Sequence, residues 1–139
     1  MQETAKRIVL VETNARMAAA ISCAVTGAGH RCDTVASADA CQKALSDTPP
    51  DMVLIDGAPD GPDPRQLCQT IRRDLSNARV KIVILNGSGR SIERRRCRAL
   101  GADGVLAKPF GLDELRAEMH RLFTDAPDAT APATMAPAV

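Results

Sequence analysis

Met52-Val53-Leu54-Ile55-Asp56 decides the fold. Four consecutive apolar residues offer no polar face, so a strand here must be buried on both sides, as strands of parallel sheets are. Pro49-Pro50 precedes the run and a Gly-, Pro- and Asp-rich loop follows it, from Gly57 to Pro64. Moving outward, Ile8-Val9-Leu10-Val11 and Val80–Leu85 have the same apolar character. Arg31–Ala36 and Val105-Leu106-Ala107 read as weaker strands. Helical spacing fills the gaps: Met17, Ile21 and Val25 behind a capping Asn14, and a segment from Ser37 or Asp39 through Leu45. Leu67, Cys68, Ile71 and Leu75 mark a third helix, and Leu112, Leu115, Met119 and Leu122 the last. Strand and helix alternate five times, which calls for an α/β fold: a doubly wound parallel sheet with helices on both faces.

Composition sets the class. The chain has 139 residues, 45% hydrophobic and 25% charged, with a formal net charge of +1. That is enough for one soluble domain with one real core, expected over residues 1–124. Residues 125–139 are Ala-, Pro- and Thr-rich without periodicity, so a disordered tail is expected there. The near-neutral charge argues against a general nucleic-acid binder. Phe110 and Phe123 are the only aromatic residues, so the core must be aliphatic. Five cysteines, Cys23, Cys32, Cys41, Cys68 and Cys97, form no C-x-x-C pair and no zinc spacing. With no signal-peptide pattern and no run of membrane-spanning length, reduced thiols in a cytoplasm are the expectation.

In doubly wound sheets ligands bind beyond the carboxyl ends of the strands, at the topological switch point. Glu12, Thr13, Asp56, Asn86 and Lys108 fall there: two carboxylates, a hydroxyl, an amide and an amine.

These pieces, in order, resemble a response-regulator receiver domain of the CheY-like kind. The matching residues are Ile8–Glu12, Pro50–Asp56, Gly61, Asp63, Gly101-Ala102-Asp103 and Lys108-Pro109-Phe110. The resemblance implies a five-stranded sheet in the order 2-1-3-4-5 and no enzymatic activity of the ordinary kind. It implies Asp56 as phosphoacceptor, Lys108 as the residue pairing with the phosphoryl group, and Mg²⁺ held by Glu12 and Asp56. The chain departs from the pattern at three positions. Thr13 replaces the second acidic residue, so Mg²⁺ binding should be weak. Asn86 replaces the hydroxyl residue that follows the phosphoryl group, and Val105 replaces the aromatic that rotates on activation.

A second feature is Arg90-Ser91-Ile92-Glu93-Arg94-Arg95-Arg96-Cys97-Arg98, five arginines in nine residues of a near-neutral chain. Helical spacing sets Ile92, Ala99 and Leu100 near one side, turns Arg94 and Arg98 away, puts Arg95 on the flank and points Arg96 inward. Arginine forks match phosphate oxygens and guanine edges and can stack on bases. The combination resembles the CheY-like cyclic di-GMP effectors (Cle proteins), which carry an arginine-rich stretch here. That resemblance implies cyclic di-GMP binding through Arg90, Arg94, Arg95, Arg96 and Arg98, and signalling through a protein partner such as the flagellar motor switch. Two other readings stand beside it: a receiver relaying phosphate from a histidine kinase through Asp56, and a ligand-independent adaptor docking an acidic partner. Nucleic acid and membrane are not expected partners.

Overall fold

The structure is a computed structural model that describes residues 5–58, 60–87 and 90–125. Of the expected tail, residues 125–139, Asp125 closes the last helix and 126–139 lie outside the described residues. The elements alternate as β1 (Arg7–Val11), α1 (Ala15–Gly27), β2 (Arg31–Val35), α2 (Ala38–Asp47), β3 (Met52–Asp56) and α3 (Pro64–Arg73). A 3-10 turn (Leu75–Asn77), β4 (Lys81–Gly87), α4 (Ser91–Ala99), β5 (Gly104–Ala107) and α5 (Leu112–Asp125) follow. All strand pairs are parallel and the order is β2-β1-β3-β4-β5, as expected.

The period of two along each strand sorts the core into two layers. Ile8, Leu10, Met52, Leu54, Val83 and Leu85 pack with α1 and α5 residues such as Ile21, Leu115 and Met119. Val9, Val11, Val53, Ile55, Ile82 and Ile84 pack with α2, α3 and α4 residues such as Leu45, Ile71 and Cys97. All five β3 residues are buried, which is why that run had to lie mid-sheet. Truncating one of its large aliphatics to Ala removes burial and leaves a cavity, at about 2–5 kcal/mol.

Local chemistry sets the boundaries. Asn14, Ser37 and Asp63 cap α1, α2 and α3, each side chain accepting a backbone N–H of the first turn. Leu75, expected on α3, is instead 85% exposed. Asp74 stops the helix before it, its carboxylate accepting the Ser76 N–H and hydroxyl at 3.0 and 2.8 Å. Leu112 opens α5 and is 40% exposed, so the apolar face of that helix is Leu115, Met119 and Leu122. At Gly101 the backbone is left-handed (φ +110°), and an added Cβ would meet Arg72 Cγ at 2.6 Å.

Candidate functional site

The carboxyl edge of the sheet brings Glu12, Asp56 and Lys108 together. Glu12 follows β1, Asp56 ends β3 and Lys108 follows β5, so the parallel register delivers all three to one rim. Asp56 is 2% exposed, and Lys108 Nζ lies 2.8 Å from each of its carboxylate oxygens. The Lys108–Pro109 peptide is cis. Glu12, only 4% exposed, is no surface carboxylate: one oxygen accepts the Asn14 N–H at 3.0 Å and the other is buried without a hydrogen-bond donor. Burial, and then the Asp56 carboxylate within hydrogen-bond reach, push the Glu12 pKa up to about 7. Two facing carboxylates with no donor between them call for a shared proton or a cation. An open cavity of about 540 Å³ adjoins them, lined also by Asn14, Arg16, Met17 and Ala58.

Thr13 does not join the pair. Its hydroxyl donates to Asp60 Oδ1 at 3.0 Å, across the mouth of the β3–α3 loop. A hard divalent cation would therefore find two protein carboxylates, with backbone oxygen and water completing its shell. Among the described residues no group of three or more His, Cys, Asp or Glu side chains gathers as a metal site. The backbone of Asn86 lies in β4, but its side chain is outside the described residues. Val105 is buried in the layer under α4. Two family-pattern acids have structural work. Asp63 caps α3, and Asp103 accepts the Ile82 N–H at 2.8 Å and pairs with Arg72 at 2.7 Å.

On α4 the phase differs from the sequence expectation. Cys97 is the buried residue, flanked by the half-buried Glu93 and Leu100 at helical spacing. Ile92 is 55% exposed and Ala99 is exposed, so neither is a core contact. Arg96 does not point inward: its side chain is 60% exposed and 4.0 Å from Glu93, which also lies 3.7 Å from Arg65 of α3. A cysteine, smaller than an arginine and readily buried, took the inward position that the wheel had given to Arg96. Arg90, Arg94, Arg95 and Arg98 are exposed as well. The structure thus gathers the arginines on one exposed helix, apart from the Asp56 cluster. The sequence reading missed Arg16 at the cavity and the Thr13–Asp60 bond. The first carried no motif, and the second joins residues 47 apart in sequence.

A buried strand-end aspartate, a lysine on both its oxygens and an acidic neighbour thus stand at the carboxyl edge of a five-stranded doubly wound parallel sheet. Residues 8–120 match the model of the response regulator receiver domain, and the chain belongs to that family. It is 33% identical to the transcriptional regulatory protein TcrA of Mycobacterium tuberculosis over 87% of this chain and 47% of that protein. It is 28% identical to the phosphate regulon transcriptional regulatory protein PhoB of Rhizobium meliloti, over 84% of this chain and 52% of the relative. The chain thus spans about half the length of the curated relatives it matches. In fold it is similar to the chemotaxis response regulator CheY4 of Vibrio cholerae, with a TM-score of 0.79 at 19% identity over 86% of this chain and 99% of that one. No helix among the described residues is long and apolar enough to cross a membrane.

Proposed function

We propose that the chain is a phosphorylation-controlled receiver whose phosphoacceptor is Asp56. The observation that carries this is the buried Asp56 carboxylate with Lys108 Nζ 2.8 Å from both of its oxygens. An Asp56 oxygen would attack phosphorus of a phosphohistidine on a kinase, forming the O–P bond as the P–N bond breaks. Lys108 neutralises charge on the transferred group, and burial of the site strengthens that attraction. Mg²⁺, held by Glu12 and Asp56, would supply further neutralisation of the phosphoryl oxygens. With Thr13 turned to Asp60, that ion should bind weakly. The test is incubation with acetyl phosphate and Mg²⁺, followed by intact-mass measurement. Slow modification that disappears in Asp56→Ala and speeds up in Thr13→Asp is expected. Modification that persists in Asp56→Ala removes the reading.

A second reading concerns the input and output on α4, and it is favoured by the exposure of Arg94, Arg95 and Arg98, which have no ion pair among the described residues. Cyclic di-GMP, with two phosphates and two guanines, matches their forks. Binding there would make the chain a Cle-like effector acting on a protein partner such as the flagellar motor switch. Calorimetry decides it: heat that is lost in an Arg94→Ala/Arg95→Ala/Arg98→Ala variant and kept in Asp56→Ala is expected. No heat at high micromolar ligand ends this reading and leaves the Asp56 reading intact.

A further inference from the structure

The opposite, amino-terminal edge of the sheet holds a cavity of about 660 Å³ lined by Lys6, Arg72, Arg79, Lys81, Asp103 and Phe123, with Ala78 and Val80. Lys6 immediately precedes β1, Lys81 opens β4 two residues after Arg79, and Asp103 precedes β5. Two acids among the described residues at this edge have hydrogen-bond partners. Asp103 accepts Arg72 and the Ile82 N–H, and Asp51 accepts the Arg7 N–H at 2.8 Å. Arg72 is equally fixed, donating to Gly101 O, Asn77 O and Asp103 at 3.0, 2.9 and 2.7 Å. The Arg72–Asp103 pair therefore cancels, and Lys6, Arg79 and Lys81 remain, three cations against the single carboxylate of Asp51. None of these three has an ion pair among the described residues.

Three like charges around one cavity repel each other and raise the local concentration of anions. Lys6 Nζ also sits 5.6 Å from the Phe123 ring centroid, which holds it at the cavity without neutralising it. The volume lies within the range of small-molecule sites and is roomier than one phosphate requires. We propose that this edge is a second binding site, taking the polyphosphate group of a small ligand on Lys6, Arg79 and Lys81. Arg79 supplies the planar fork that grips two phosphate oxygens, and the two lysines act as point charges on the neighbouring group. The site is separate from Asp56, which lies at the other end of β3, and from the arginines of α4.

The experiment is calorimetric titration of the full chain with inorganic pyrophosphate, ADP and adenosine, at low salt and in EDTA so that no metal-assisted binding at Asp56 contributes. Pyrophosphate and ADP should both bind, raise the melting temperature and weaken as salt rises. Tighter binding of ADP than of pyrophosphate would assign a nucleotide as the source of the polyphosphate, and equal binding an inorganic one. Adenosine should give no heat. The variant Lys6→Gln/Lys81→Gln, checked for an unchanged circular dichroism spectrum, should weaken pyrophosphate binding by about tenfold or more, since two charge-assisted contacts are lost. Arg79→Gln, on an exposed side chain, is the second variant and should weaken it too. Asp56→Asn and the triple α4 variant should bind as the parent does. Silence with both phosphates at millimolar concentration overturns the proposal. So does binding that survives the lysine substitutions or vanishes with the α4 arginines.

Discussion

The Asp56 cluster and helix α4 both concentrate charge, yet the protein holds the two in opposite ways. Asp56 and Glu12 are 2% and 4% exposed, and each is fixed by named partners. On α4 the arginines stand in solvent, and the Arg96 side chain, 60% exposed, reaches Glu93 only at 4.0 Å. Burial beside Asp56 raises the proton affinity of Glu12. Exposure leaves five cations screened by water, able to meet a partner but contributing little to the fold.

The comparison breaks first, and hardest, at Lys108. Lys108→Ala leaves Asp56 and Glu12 buried together without their ammonium. Removing one member of a buried pair costs about 3 kcal/mol or more. Because a shared proton can partly replace the ammonium, the loss should be larger at pH 8 than at pH 5. Urea unfolding at both pH values checks it. An equal, small loss at both would mean that the pair is no more coupled than a surface bridge.

The next largest effect is a pH dependence carried by Glu12. Its folded pKa, about 7, stands above the ordinary 4.5, so between these values the folded state holds a proton that the unfolded chain has released. Stability from this group is therefore full below about pH 4.5 and falls as pH rises toward 7. One proton sets a ceiling of about 1.4 kcal/mol for each pH unit. Glu12→Gln should flatten that slope, and Mg²⁺ bound by the pair should flatten it too. A slope unchanged by Glu12→Gln places the proton elsewhere.

How much of this was legible follows the same division. Met52–Asp56 could be read because a fully apolar run has few homes, and Asp56 with Lys108 because strand ends are punctuated by polar residues. The phase of α4 could not be read, since only Cys97 of its nine residues is buried and a weak apolar pattern leaves the wheel free to turn. Nor could the amino-edge cavity: Lys6, Arg79 and Lys81 reach one place only through the register of β1, β3 and β4. Thr13 could be recognised as a departure, but its bond to Asp60 needed the fold.

Arg72 sharpens the comparison, because it is an arginine held as firmly as Asp56. Its fork ties α3 to Gly101, to Asn77 in the 3-10 turn and to Asp103. Arg72→Lys keeps the charge but cannot reproduce three fork contacts, and a loss of about 2 kcal/mol is expected in thermal or urea unfolding. A loss under about 0.5 kcal/mol, the surface value, would show that these partners do not hold Arg72 and that burial alone separates the two regions.

The smallest effect lies on α4 itself, and its sign is the informative part. Arg94 sits in the first turn, where the helix dipole is positive, and has Arg90 and Arg98 at i−4 and i+4. Both the dipole and the like-charge pairs disfavour a cation there, by roughly 0.2–0.5 kcal/mol apiece. Arg98 sits in the last turn, where the dipole favours a cation and offsets its repulsion with Arg94 and Arg95. Arg94→Ala should therefore stabilise the protein by a few tenths of a kcal/mol, while Arg98→Ala should be near neutral. In about 1 M salt, where the screening length falls to about 3 Å, the two variants should converge. Urea unfolding at low and high salt reads both. If either substitution cost more than about 1 kcal/mol at low salt, that arginine would be held by the fold, and the contrast between a buried site and a solvated helix would fail on that side.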